Sequence, residues 1–97
     1  KGVGVIGDSY AEDQVVSSGD STFVRVFAPA GYPVNFYSPQ GGRFVLSGID
    51  SASVIAEGGI AEVEWEASDE FLGMVMIMAS SPVAFGKTFI YVQVVKY

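Results

Sequence analysis

Apolar residues recur at every second position along most of this chain, in runs of five to ten residues separated by Gly, Pro, Ser, Asn and Asp. That period belongs to extended strands, whose side chains point alternately to opposite faces. Val3–Ile6 is expected to be a short first strand, followed by the polar segment Asp8–Gln14 and a second short strand at Val15-Val16. Thr22–Ala28 sets Thr22, Val24 and Val26 against Phe23, Arg25 and Phe27, and Pro29 ends it by removing a ladder donor. Further strands are predicted over Val34–Ser38, Arg43–Leu46, Ala52–Ala56, Ile60–Ala67, Phe71–Ser80 and Thr88–Tyr97. Gly41-Gly42, Gly58-Gly59 and Ser68-Asp-Glu70 supply turns between them. No amphipathic helix emerges. Short strands with turn signals every ten residues or so predict an all-β domain, an antiparallel two-sheet sandwich of immunoglobulin-like type.

Two strands break the simple inside/outside rule. In Phe71–Ala79, the residues Phe71, Val75, Ile77 and Ala79 share one face, and Leu72, Met74, Met76 and Met78 share the other. Both faces are apolar, so either something in the domain covers both or one is left for a partner. The closing strand has the same character, with Ile90, Val92 and Val94 opposite Phe89, Tyr91, Val95 and Tyr97. By contrast, Ile60–Ala67 divides cleanly: Ala61, Val63, Trp65 and Ala67 face inward, and Glu62, Glu64 and Glu66 face solvent. Trp65 is expected to plug the core.

Composition sharpens this picture. Ninety-seven residues predict one domain spanning 1–97. The chain carries 5 Lys plus Arg against 11 Asp plus Glu, a net charge of −6. That balance argues against nucleic acid or an anionic membrane surface as a partner. Only 16% of residues are charged while 49% are apolar, against about 25% charged in ordinary soluble domains. The surplus apolar surface points to a subunit interface. No apolar run reaches the roughly 18 residues of a membrane-spanning helix. Lys1 as first residue is expected of a processed or excised piece.

Chemistry is poorly supplied. His and Cys are both absent, which removes the commonest general base, the usual zinc ligands and thiol nucleophiles. The carboxylate pairs Asp69/Glu70 and Asp8/Asp13 are explained as turn and loop residues, so no catalytic residue and no cofactor is assigned. Asp8, Glu12, Asp13 and Asp20 could collect a hard cation such as calcium, but they lack EF-hand spacing. Gly2-Val-Gly-Val-Ile-Gly7 has the wrong spacing for a dinucleotide loop, and no helix follows it.

The stretch from Ser21 to Ser80 resembles the bacterial immunoglobulin-like domains of the invasin and intimin type. The resemblance is carried by the Pro33-Val-Asn-Phe36 strand opening, the Gly41-Gly42 turn, Gly59-Ile-Ala61 before an alternating strand, and Gly73 followed by alternating apolar residues to Ala79. It departs from that pattern in placing methionines where the penultimate strand usually has polar partners. The resemblance implies an extracellular or cell-surface, non-enzymatic module acting through protein–protein contact or self-assembly. Expected contact residues are Met74, Met76, Met78, Tyr91 and Tyr97 on the sheet face, with Tyr32, Val83 and Phe85 at a loop tip. The alternative is a carbohydrate-binding module stacking sugars on Tyr37, Tyr91 and Tyr97.

Overall fold

The computed structural model describes residues 6–96, and among these every regular element is a strand. In chain order these are β1 (Ser9–Ala11), β2 (Val15–Ser17), β3 (Ser21–Phe27), β4 (Pro33–Tyr37), β5 (Arg43–Phe44), β6 (Ser51–Ile55), β7 (Ile60–Glu66), β8 (Gly73–Ser80) and β9 (Lys87–Val95). They form a four-stranded sheet in the order β1-β3-β7-β5 and a five-stranded sheet in the order β2-β9-β8-β4-β6. The expected two-sheet sandwich is therefore present. Three details differ from expectation. β1 lies inside the segment read as polar, and the predicted strand over Arg43–Leu46 stops at Phe44. β2 pairs with β9 in parallel, whereas the sheets are otherwise antiparallel. The strand expected over Val3–Ile6 lies outside the described residues except for Ile6, which is buried without strand geometry.

The alternation read from sequence explains how the layers close. Thr22, Val24 and Val26 of β3, with Ala61, Val63 and Trp65 of β7, are the inward set of the first sheet. Val34 and Phe36 of β4, Val75, Ile77 and Ala79 of β8, and Ile90, Val92 and Val94 of β9 are the inward set of the second. Each fully buried Val or Ile contributes about 1.5–3 kcal/mol of apolar burial, so the two facing sets hold the layers together.

Trp65 is the predicted core plug and is fully buried. Its indole N–H donates to Ser38 Oγ at 3.2 Å, and the Ser38 hydroxyl donates to the Gly41 carbonyl. The only polar atom of the largest core side chain is thereby satisfied, and the chain crossing from β4 to β5 is tied to the core at the same point. Gly42 permits this. It holds φ at +82°, and a Cβ there would sit within 2.6 Å of three indole atoms. Gly58-Gly59 acts differently: with φ of 63° and 89° the pair makes the tight turn across which Glu57 and Ile60 exchange backbone hydrogen bonds.

The chain runs up and down a body measuring 48 × 21 × 21 Å. The 28–32, 56–59 and 81–86 connections cluster at one end with Ile6. The 67–72 connection and the β2–β3 turn lie at the other.

Candidate protein interface

β8 decides what the five-stranded sheet shows to solvent. Its odd-numbered positions Val75, Ile77 and Ala79 are buried, so the period of two turns Met74, Met76 and Met78 outward. Met74 is exposed, and Met76 and Met78 are half-buried by their neighbours on the same face. Register places Tyr91 directly across from Met76 and Phe89 directly across from Met78, both on β9, while Tyr37 of β4 flanks Met78 from the other side. Tyr37, Phe89 and Tyr91 are all exposed. The result is a continuous outward row, Tyr37–Met78–Phe89, with Met76–Tyr91 beneath it and Met74 beside Gln93. Of the expected face residues, Met74, Met76, Met78 and Tyr91 are brought together; Tyr97 lies outside the described residues.

One polar device serves the lower part of this face. β4 pairs with β8 only from Met78 to Ser80, and the Met76 N–H, one step beyond that ladder, donates to Gln40 Oε1 at 2.8 Å. A side chain from the β4–β5 crossover thus takes the place of a missing strand carbonyl.

The loop-tip residues reach the same end of the sandwich, as expected. Tyr32 is half-buried in the β3–β4 connection, and Val83 and Phe85 are exposed in the β8–β9 connection. Phe85 is the most exposed large apolar side chain among the described residues, at 69%. Its backbone carbonyl accepts from Ile6 N at 3.1 Å, so the loop is anchored by main chain and leaves the ring free. Replacing Phe85 with Ser is therefore expected to change unfolding free energy by less than about 0.5 kcal/mol in a urea titration followed by Trp65 fluorescence.

The opposite sheet face is quieter and more polar. Arg25 of β3 donates to Glu12 Oε1 at 2.9 Å and to Glu62 Oε2 at 2.6 Å, while Arg43 pairs with Glu66 at 2.6 Å and Ser21 with Glu64 at 2.6 Å. The hydrogen bonds to Glu12 and Glu62 hold the Arg25 guanidinium even further above neutrality than usual, so it remains charged at any working pH. Its guanidinium carbon also lies 5.8 Å from the ring centres of Tyr10 and Phe23, and Tyr10 tilts against Phe27 at 6.2 Å. The three glutamates read as a solvated face are such a face, each with a partner. The Phe23 and Phe27 side of β3 was legible in the alternation, but Tyr10 was hidden in a segment that reads as polar.

Among the described residues no group of three or more acidic side chains is placed to hold a metal ion. Asp8 and Asp13 flank opposite ends of β1, Asp20 sits in the β2–β3 turn, and Glu12 is held by Arg25, so the four acidic residues considered for calcium do not converge. Asp69 and Glu70 occupy a turn in which the Glu70 N–H donates to Ser68 Oγ at 3.0 Å.

The geometry is that of an immunoglobulin-like β-sandwich with one apolar outer face. Solved structures share it. The D0–D1 domain of intimin superposes with a TM-score of 0.70 at 21% identity, over 97% of this chain and 50% of that one. Domains 1–6 of the surface layer protein SbsC match with a TM-score of 0.62 at 16% identity, over 100% of this chain and 14% of that one. The CARDB domain of the PF1109 protein from Pyrococcus furiosus, solved with di-metal ions, matches with a TM-score of 0.55 at 15% identity, over 98% of this chain and 96% of that one. The chain thus spans half the length of the intimin structure and a smaller share of the SbsC one. No protein-family profile matches the sequence, and no curated protein sequence does. The resemblance to the intimin type stands at the level of fold.

Proposed function

We propose that this chain is a non-enzymatic structural or adhesive module that works by protein–protein contact in an extracellular surface structure, such as an adhesin, a pilus-like filament or a viral coat. The observation that carries the reading is the outward Met–Tyr face. Met74, Met76 and Met78 run down the middle of the sheet between Tyr37 on one side and Phe89 and Tyr91 on the other. Methionine is flexible and polarizable, and it adapts to the contours of an opposing protein surface. Contiguous exposed apolar patches of this kind mark interfaces in soluble domains. The fold shared with domains of intimin and of a surface layer protein supports the same setting. Tyr32, Val83 and Phe85 form a second, smaller contact at the loop end in this reading.

The same face weighs against sugar stacking. Tyr37 and Tyr91 lie on the strands either side of β8, which are about 9.6 Å from one another at ordinary strand spacing, and are offset by two residues along them, with Met76 and Met78 between. Polar side chains of this face, Asn35 on the strand of Tyr37 and Gln93 on the strand of Tyr91, stand beyond the two rings, and only methionines lie between them.

The test is the solution mass by light scattering over a hundredfold dilution, comparing wild type with Met76→Glu. Wild type is expected to associate at the high end, and the charged variant to remain folded and dissociated. If Met76→Glu unfolds instead, the methionines belong to the core and the face is no interface.

A further inference from the structure

A different surface lies along β6. This strand is the outer edge of the five-stranded sheet, and β4 covers only one of its sides. The Ala56 N–H donates to the Tyr32 carbonyl and the Ser38 N–H donates to the Asp50 carbonyl, so the even-numbered residues of this segment face β4. By strand alternation, the N–H and C=O groups of Ser51, Ser53 and Ile55 point away from the sheet. The Ser51 carbonyl accepts from the Ser47 hydroxyl. Ser53 and Ile55 therefore present the open part of the edge.

Natural edges are blunted by lysine, proline, charge or a bulge. Ser51-Ala-Ser-Val-Ile55 carries none of these, and its register with β4 is unbroken. The adjoining side chains are also unusually apolar. Leu46 is 66% exposed, the greatest exposure of any large aliphatic side chain among the described residues, and Val45, Ile49 and Ile55 are each more than half exposed. Leu46, Val54, Ile55 and Ile60 supply the apolar part of a shallow groove of about 670 Å³ between the edges of β6 and β7, whose remaining wall includes Glu57 and the Arg25–Glu62 ion pair. The short β5 leaves that side of the sandwich open.

We propose that a second copy of this chain adds to this edge, β6 against β6 in antiparallel pairing about a two-fold axis. Charge fits that occupant. On a chain with a net charge of −6, residues 44–56 contain a single charged side chain, Asp50, and of the charged residues lining the groove Arg25 and Glu62 neutralise each other, which leaves Glu57. In a register centred on Val54, Glu57 of each copy lies opposite Ser51 of the other, so two acidic molecules meet here without carboxylates directly opposed. With the axis at Val54, Ser53 of each copy lies opposite Ile55 of the other, and the two pairs exchange four backbone hydrogen bonds. The same register sets Asp50 away from its counterpart and brings the two Val54 side chains together over the groove. Two five-stranded sheets then become one continuous sheet. This contact uses no residue of the Met–Tyr face and stands independently of that reading.

The experiment is a cross-link at the axis. Opposed Val54 residues in a non-hydrogen-bonded pair have Cα atoms about 4.5 Å apart, within disulfide range, and the chain has no cysteine of its own. Val54→Cys in a thiol redox buffer is expected to collect as a disulfide dimer, while Asp69→Cys, on an exposed turn, stays monomeric. Adding Ser53→Pro, which removes only a donor facing away from β4, is expected to abolish the cross-link with Trp65 fluorescence unchanged. Hydrogen exchange on wild type covers the case in which Val54→Cys misfolds: the Ser53 and Ile55 amides are expected to slow by roughly tenfold or more as concentration rises. A Val54→Cys chain that folds and remains a reduced monomer overturns the proposal, as do Ser53 and Ile55 amides indifferent to concentration, or a cross-link that survives Ser53→Pro.

Discussion

Gly42→Ala is expected to destabilise the domain by about 3–5 kcal/mol, the range seen when a core aromatic loses its packing. Two penalties act at this position. A φ of +82° costs a residue with a Cβ about 1–2 kcal/mol. The added methyl would also lie within 2.6 Å of the indole of Trp65, closer than carbon atoms approach in folded proteins. Trp65 cannot yield, because it is fully buried and its N–H is held by Ser38, which is tied in turn to the Gly41 carbonyl. The β4–β5 crossover has to move instead, and it carries the Gln40 side chain that accepts from the Met76 N–H of β8. Gly48→Ala separates the two penalties. Gly48 has nearly the same φ, +75°, but a methyl added there would meet nothing within 4 Å, so only the backbone cost of about 1–2 kcal/mol is expected. Urea unfolding of both variants, followed by far-ultraviolet circular dichroism, measures the difference. Equal losses would mean that the crossover relaxes and the indole does not constrain it.

How much of this was legible beforehand depends on which residues are asked. Alternation was read well where it is long: the division of Ile60–Ala67 into Trp65 inward and glutamates outward, and of β8 into one set with Val75, Ile77 and Ala79 and another with the methionines, both follow from a period of two and hold in the structure. Two apolar faces did not say which set of β8 turns inward. The failures fall where alternation is short or broken. Ser9–Ala11 is three residues long and carries a single large apolar side chain, so it reads as loop, yet backbone pairing with Val24–Val26 makes it a strand. Arg43–Leu46 has the composition of a strand, but the Phe44 N–H donates to the Ile49 carbonyl and the Gly48 N–H returns to Phe44 O, closing a turn that ends the strand after two residues. That turn is what exposes Leu46 and Ile49. The apolar Met–Tyr face was visible because parity reveals it, whereas an open sheet edge depends on strand order, which no local pattern in a single chain encodes.

Phe44→Ala is expected to cost about 3–5 kcal/mol, and Phe44→Leu less than about 1.5 kcal/mol. Phe44 is fully buried and packs against Phe36 of the opposite sheet with ring centres 6.0 Å apart at 50°. It is also half of a two-residue strand, so no neighbouring inward side chain of β5 shares its task. Truncation therefore removes core volume and, with it, the anchor of the 45–50 turn, whose backbone bonds converge on Phe44. Hydrogen exchange distinguishes these consequences: in Phe44→Ala the Gly48 and Phe44 amides are expected to lose protection before those of β3 and β7, whereas in Phe44→Leu they keep it. The result bears on assembly as well as stability. The apolar turn beside β6 is rigid only while Phe44 pins it, and ordering a loose turn on association adds an entropic cost that a fixed one does not. Phe44→Ala should accordingly weaken any contact made through the β6 edge more than one made through the Met–Tyr face, since β8 and β9 are held by an eight-residue ladder remote from that turn.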